Sequence, residues 1–131
     1  MERRILNPWT WQDTYGFVQA NEVTGGQRVV YCAGQTSVDG DGRPVHVGDM
    51  AGQIRQSLDN LEVVLREAGL ELKDVVRLCY YTTDVDRLLA SYHVLVERLA
   101  AAGCRPASTL LGVTRLAFPE LLIEIEATAV A

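Results

Sequence analysis

Two glutamates spaced two apart are the residues whose types and spacing best suit acid–base chemistry. Glu124 and Glu126 lie in IEIEATAV, residues 123–130, a run that reads as strand. Alternate strand residues point to one face, so the two carboxylates stand roughly 6.5–7 Å apart on the same side. Such a pair can divide acid and base roles when its surroundings push the two pKa values apart. The same spacing also describes the polar face of an amphipathic strand, which is the reading that spacing alone favours and the one kept for Glu126. Other chemistry-bearing residues form no constellation. His46 falls in a loop and His93 on a helix beside Tyr92; neither has a partner at triad or metal-ligand spacing, and both read as surface histidines. Cys32, Cys79 and Cys104 make no CxxC pair. The first two lie in strand-like sequence and read as buried, reduced thiols. Cys104 could be an exposed thiol, but no identifiable base accompanies it, so it is not assigned as a nucleophile. No Gly-rich phosphate loop and no zinc spacing occur.

The bulk properties set the frame for these groups. A chain of 131 residues and 14.4 kDa is expected to form one domain, residues 1–131, with a core of its own. Its net charge of −5 and pI of about 4.9 argue against a nucleic-acid partner, because that affinity comes largely from neutralising phosphates. All but one of the twelve basic residues are Arg, the exception being Lys73. They are scattered, which suits compositional bias better than phosphate recognition. The opening MERRILNPWTWQD carries charge but no apolar run, so neither a secretory signal nor a membrane helix is expected, and a cytoplasmic location follows.

The elements that must position the glutamates can be read from periodicity. Residues 15–22 and 27–33 read as two strands joined by a turn at Gly25–Gly26, and 39–44, DGDGRP, as a loop. Asp49 caps a helix whose apolar stripe is Met50, Ile54, Leu58, Leu61, Leu65 and Ala68, with Gln53, Arg55, Gln56, Asp59, Glu62 and Arg66 largely off it; Gly69 fits the left-handed C′ position. Residues 75–83 read as a central strand. Asp84 caps a second helix with the stripe Leu88, Tyr92, Leu95 and Leu99, stopping at Gly103. Arg105–Pro106 breaks the chain before strands at 107–114 and 121–130. The expected fold class is α+β, one mixed β-sheet with two helices packed on one face. The other face also carries alternating apolar residues, so it is expected to bury itself against further subunits.

Several segments together carry a resemblance. AGQTS at 33–37, QIRQSLDNLEVVLREAGLELKDVVRLCYYTTDV at 53–85, RPAST at 105–109, VTRL at 113–116 and IEIEATAV at 123–130 follow the order and spacing of the RidA/YjgF family. The chain resembles that family from about Phe17 to Val130. The resemblance implies a chorismate-mutase-like fold, a homotrimer with a small-molecule cleft between each pair of adjacent subunits, and hydrolysis of reactive enamines and imines without cofactor or metal. It also implies site residues. The family's Pro-Ala-Arg-Ser signature, whose Arg grips the substrate carboxylate through a bidentate fork, matches Pro106, Ala107, Ser108 and Thr109. Ser108 therefore stands in place of the Arg. Losing a charge-assisted contact costs roughly 1.5–3 kcal/mol, or about ten- to a hundredfold in affinity, so amino-acid-derived imines should be poor substrates.

Arg105, three residues upstream, should point to the opposite strand face from Ser108, and Arg115 matches an arginine that reads as structural. Leu89 replaces a polar Asn, Phe17 a first-strand Tyr, Leu110 a Cys and Ala33 a Ser. Gly34 matches a glycine whose N–H meets ligand carboxylate, and Glu124 the carboxylate that positions water. Hydrolysis of a C=N bond needs such a group, held in a dry cleft where its pKa rises. The implied site is thus catalytic Glu124 with Phe17, Ala33, Gly34, Leu89, Ser108 and Leu110 around the substrate, although the apolar members suit subunit packing equally well. Two functions stay open. One is a divergent enzyme adding water or transferring a proton on a small imine, enamine or related electrophile. The other is a non-catalytic trimer binding an apolar small molecule or protein. A ribonuclease role is the weakest, given the acidic charge.

Overall fold

The computed structural model describes residues 1–26 and 28–131; Gln27, the first residue of the second expected strand, lies outside the described residues. The chain runs through β1 (Glu2–Leu6), a 3-10 turn at Trp11–Tyr15, β2 (Ala20–Thr24), β3 (Val29–Thr36), α1 (Met50–Glu67), a 3-10 turn at Leu72–Asp74, β4 (Val75–Thr82), α2 (Val85–Ala90), α3 (Tyr92–Ala101), β5 (Ala107–Gly112) and β6 (Ile123–Val130). Four strands make a mixed sheet in the order β3-β6-β4-β5. β6 is antiparallel to both neighbours, while β4 and β5 are parallel, joined by the α2–α3 crossover. This is the α+β, mixed-sheet class that the periodicities indicate.

The core lies between this sheet and the helices. Leu78 and Tyr80 of β4 and Ile123, Ile125, Ala127 and Ala129 of β6 are buried together with Met50, Ile54, Leu58, Leu61 and Leu65 of α1 and Leu95 and Leu99 of α3. The Asp49 side chain accepts the Gly52 N–H at 2.9 Å, and Gly69 takes φ +71°, so both ends of α1 form as its sequence predicts.

The structure differs from the sequence reading in three places. Residues 15–22 are not one strand paired with 27–33. Trp11–Tyr15 form a 3-10 turn closed by Gly16 at φ +72°, and β2 pairs with β1, a strand the charged N-terminus disguised. The ribbon β1–β2 is bound to the sheet by side chains rather than by a ladder. The Arg3 guanidinium donates to the carbonyls of Lys73, Val75 and Arg105 at 2.9, 3.2 and 2.7 Å, and Asn21 donates to Val76 and Arg105. The expected second helix is broken at Ser91, although its stripe from Leu88 through Tyr92 to Leu99 stays buried across the break. Finally, Gln53 is fully buried rather than on a solvent-facing side of α1.

Candidate functional site

Glu124 stands near the start of β6, and its register is fixed from α1. Gln53 accepts the Leu122 N–H at 2.8 Å and donates to the Glu120 carbonyl at 2.9 Å. The Thr82 hydroxyl donates to the Leu122 carbonyl at 2.7 Å. Both backbone groups of Leu122 are thus held by buried side chains two residues before Glu124. Asn60, at the end of the same helical block, donates to the carbonyls of Thr36 and Val38, which fixes the end of β3 beside it.

Between Cys32 and Gln35 the β3–β6 ladder shifts register, so Ala33 and Gly34 form a bulge. A Cβ placed on Gly34 would stand 2.6 Å from Cδ and 2.9 Å from Oε2 of Glu124. Only a glycine lets the carboxylate lie over the backbone here. Desolvation first, and then the charge of Glu126, raise the Glu124 pKa. Glu126 accepts the Tyr81 phenol at 3.0 Å, and that hydrogen bond is the largest reason the phenol is pushed up to about 12. Tyr81, Glu124 and Glu126 share a hollow of about 460 Å³ with Arg115 and Leu116. Glu126 and Tyr81 therefore join the neighbourhood of Glu124, and Arg115 borders it.

Ser108 lies elsewhere. It pairs with Leu78, a core residue, and so faces the helix side of the sheet. Glu124 pairs with Tyr81 and faces the other side. Ser108, Leu110, Leu89 and Phe17 line a separate hollow of about 350 Å³, whose remaining walls are Trp11, Tyr15 and Tyr92. Phe17 is not on a strand; it sits in the connection to β2, one residue before the bridge Val18↔Ala107. Trp11 and Phe17 meet edge to face with centroids 5.7 Å apart, as do Tyr15 and Tyr92 at 6.1 Å. Burial, and then Tyr15, push the Tyr92 phenol up to about 12, so it stays protonated at neutral pH.

The seven sequence-assigned residues thus divide into two groups within one chain. Glu124, Gly34 and Ala33 lie together by the bulge; Ser108, Leu110, Leu89 and Phe17 lie together at the aromatic hollow. Sequence reasoning missed Trp11 and Tyr15, although WTWQDTYGF places four aromatics in nine residues. Arg105 borders yet another hollow with Asp13, Val96 and Cys104, across Phe17 from Ser108. Cys104 is buried, and desolvation raises its thiol to about 12, which corrects the expectation of an exposed thiol. His46 and His93 are both exposed.

Comparison with known proteins adds four findings. The family model "Endoribonuclease L-PSP" matches residues 14–131. The RutC family protein PH0854 of Pyrococcus horikoshii is 33% identical over 100 residues, 76% of this chain and 77% of that protein, and the 2-iminobutanoate/2-iminopropanoate deaminase of Escherichia coli K12 is 35% identical over 85 residues, 63% and 64% of the two chains. The crystal structure of the Rid-family protein YyfB from Yersinia pestis superposes with a TM-score of 0.89 at 38% identity, covering all of both chains.

Proposed function

The chain belongs to the endoribonuclease L-PSP family, the RidA/YjgF proteins, and on that premise we propose that it hydrolyses small C=N compounds in clefts between the subunits of a homotrimer, with Glu124 as the group that handles water. One observation carries this reading: Glu124 is half-buried over the Gly34 backbone with its pKa raised by desolvation and by Glu126. A carboxylate so placed is a better base toward water than an ordinary one. The division of the candidate residues into two half-sites supports the assembly. The Glu124 face of one subunit set against the Ser108 hollow of a neighbour would complete one cleft. The sheet face opposite the helices carries the exposed Tyr31 and Leu111, apolar surface that association would cover.

The chemistry balances without a cofactor. Glu124 takes a proton from water as its oxygen attacks the carbon of the N-protonated imine, and the C=N π pair moves to nitrogen. The resulting carbinolamine loses ammonia when Glu124 returns its proton to nitrogen and the C–N bond breaks. The hydroxyl proton then passes to the departing ammonia, and the products are a carbonyl compound and ammonium.

Substrate choice should differ from that of the Escherichia coli deaminase. Ser108 offers one neutral hydrogen bond where a guanidinium would grip a carboxylate, so small anionic imines such as 2-aminoacrylate tautomers are disfavoured. The family's ribonuclease name finds no support in this chain, which carries −5 and sets two carboxylates in the Glu124 hollow. The second reading, a trimer that binds an apolar ligand without catalysis, draws on the uncharged aromatic hollow.

The test generates imines in situ from alanine, leucine and phenylalanine with an amino-acid oxidase and follows their decay. All three imines carry a carboxylate and should react slowly, but wild type should accelerate the two bulkier ones more than the alanine imine, and Glu124→Gln should return every rate to that of buffer. Wild-type rates equal to buffer for all three would reject hydrolysis of this substrate class and leave the binding reading.

A further inference from the structure

We propose that the hollow walled by Trp11, Tyr15, Phe17 and Tyr92 selects substrates bearing a neutral aryl substituent. This deepens the hydrolase reading, since the hollow is taken as the part of the cleft that receives the substituent while Glu124 acts on the C=N carbon.

Three observations point to an aryl group rather than to a charged or merely small one. The first is size. About 350 Å³ falls in the range of small-molecule pockets and far exceeds what a methyl group would fill. The second is the wall chemistry. Among the described residues none that is ionised at neutral pH lines the hollow, so a carboxylate or ammonium entering it would lose hydration without a counter-charge. The third is ring geometry. Trp11 meets Phe17 at 77° and Tyr15 meets Tyr92 at 65°, while Tyr80 beneath meets Tyr92 at 90°. Walls built this way present both ring faces and ring edges. A planar ring inserted among them meets edges with its face and faces with its edge, the arrangement that aromatic quadrupoles favour. Trp11, Tyr15 and Leu89 stand exposed in the single chain, at 60%, 46% and 48%, which is costly apolar surface unless something covers it. Ser108 is the one aliphatic hydroxyl in the lining, placed to orient a polar group attached to the ring.

Binding can be read without catalysis. Trp9 and Trp11 are the only tryptophans, so Trp9→Phe leaves Trp11 fluorescence as a reporter from the hollow itself. In that background, phenylacetamide should perturb the emission and bind at least about tenfold tighter than acetamide or phenylacetate. Leu89→Asn and Tyr15→Ser, both at exposed positions, should each weaken phenylacetamide by about fivefold or more. On imines, the phenylalanine-derived substrate should lose its kcat/KM advantage over the leucine-derived one in Leu89→Asn. Binding of tetramethylammonium tighter than phenylacetamide, equal binding of acetamide, or no response to phenylacetamide would each overturn the proposal. The two readings can fail separately. Aryl binding without any imine hydrolysis rejects the hydrolase and keeps the aryl site, whereas hydrolysis without aryl binding does the reverse.

Discussion

Glu124 and Gly34 act as one unit, because the space a Cβ would need at position 34 is already filled by the carboxylate. The atoms in the way are the far end of a flexible side chain, so Gly34→Ala should move Glu124 rather than unfold the strand. Stability should fall by less than about 1 kcal/mol, while imine hydrolysis falls by about a hundredfold or more; denaturant melts and initial rates check the two halves. Glu126 supplies part of the Glu124 shift through like charge. In Glu126→Gln the Glu124 pKa drops, so the acid limb of the rate profile should move to lower pH, which a kcat/KM profile would show. The sign for stability runs opposite to the usual carboxylate case. A folded-state pKa above the unfolded value means the native state holds its proton longer. Stability therefore declines as pH rises from the ordinary glutamate range through the raised value, and the cost is absent below that range. Glu124→Gln should consequently be stabilised relative to wild type at pH 7 and not at pH 4, measured by thermal melts at both.

At the scale of elements, the block QIRQSLDN matters more for its hydrogen bonds than for its apolar stripe. Gln53 holds both Leu122 and Glu120. Gln53→Leu would leave a buried N–H and a carbonyl unpaired, which costs about 2–4 kcal/mol at typical values, and amide exchange at Leu122 should accelerate before that of the β6 centre. The sequence reads Gln53 as lying off the apolar stripe, because a polar residue on a helix reads as surface until its partners are known. Those partners lie 67 and 69 positions away, and no local pattern contains them. β1 escaped for a similar reason: ERRIL looks like charged coil until Arg3 is seen to spend its guanidinium on three backbone carbonyls. Residues 15–22 alternate like a strand, but Gly16 at positive φ ends a 3-10 turn there instead. The helix caps, the stripes and the central strand were legible because they depend on neighbours in sequence. The carboxylate and its glycine were legible through family resemblance, whereas the aromatic hollow needed Trp11 and Tyr15 folded back against α2 and α3.

At the scale of the whole molecule, Glu124 and the aromatic hollow lie on opposite faces of one sheet. On the proposed reading, Glu124 and the apolar hollow serve one small substrate only when a second subunit brings its hollow to the first subunit's Glu124. The proposed activity and the proposed assembly therefore stand together. The outer sheet face offers the means, since Tyr31 there is 81% exposed and makes no part of the core. Tyr31→Glu places a charge on that face at a position that pairs with Thr128 and takes no part in the core. Dilute wild type should sediment at three times the 14.4 kDa of one chain. Tyr31→Glu should shift toward the single-chain mass, retain a folded circular dichroism spectrum, and lose imine hydrolysis in proportion to the trimer lost. An active 14.4 kDa monomer would separate activity from assembly and break the link between the two half-sites.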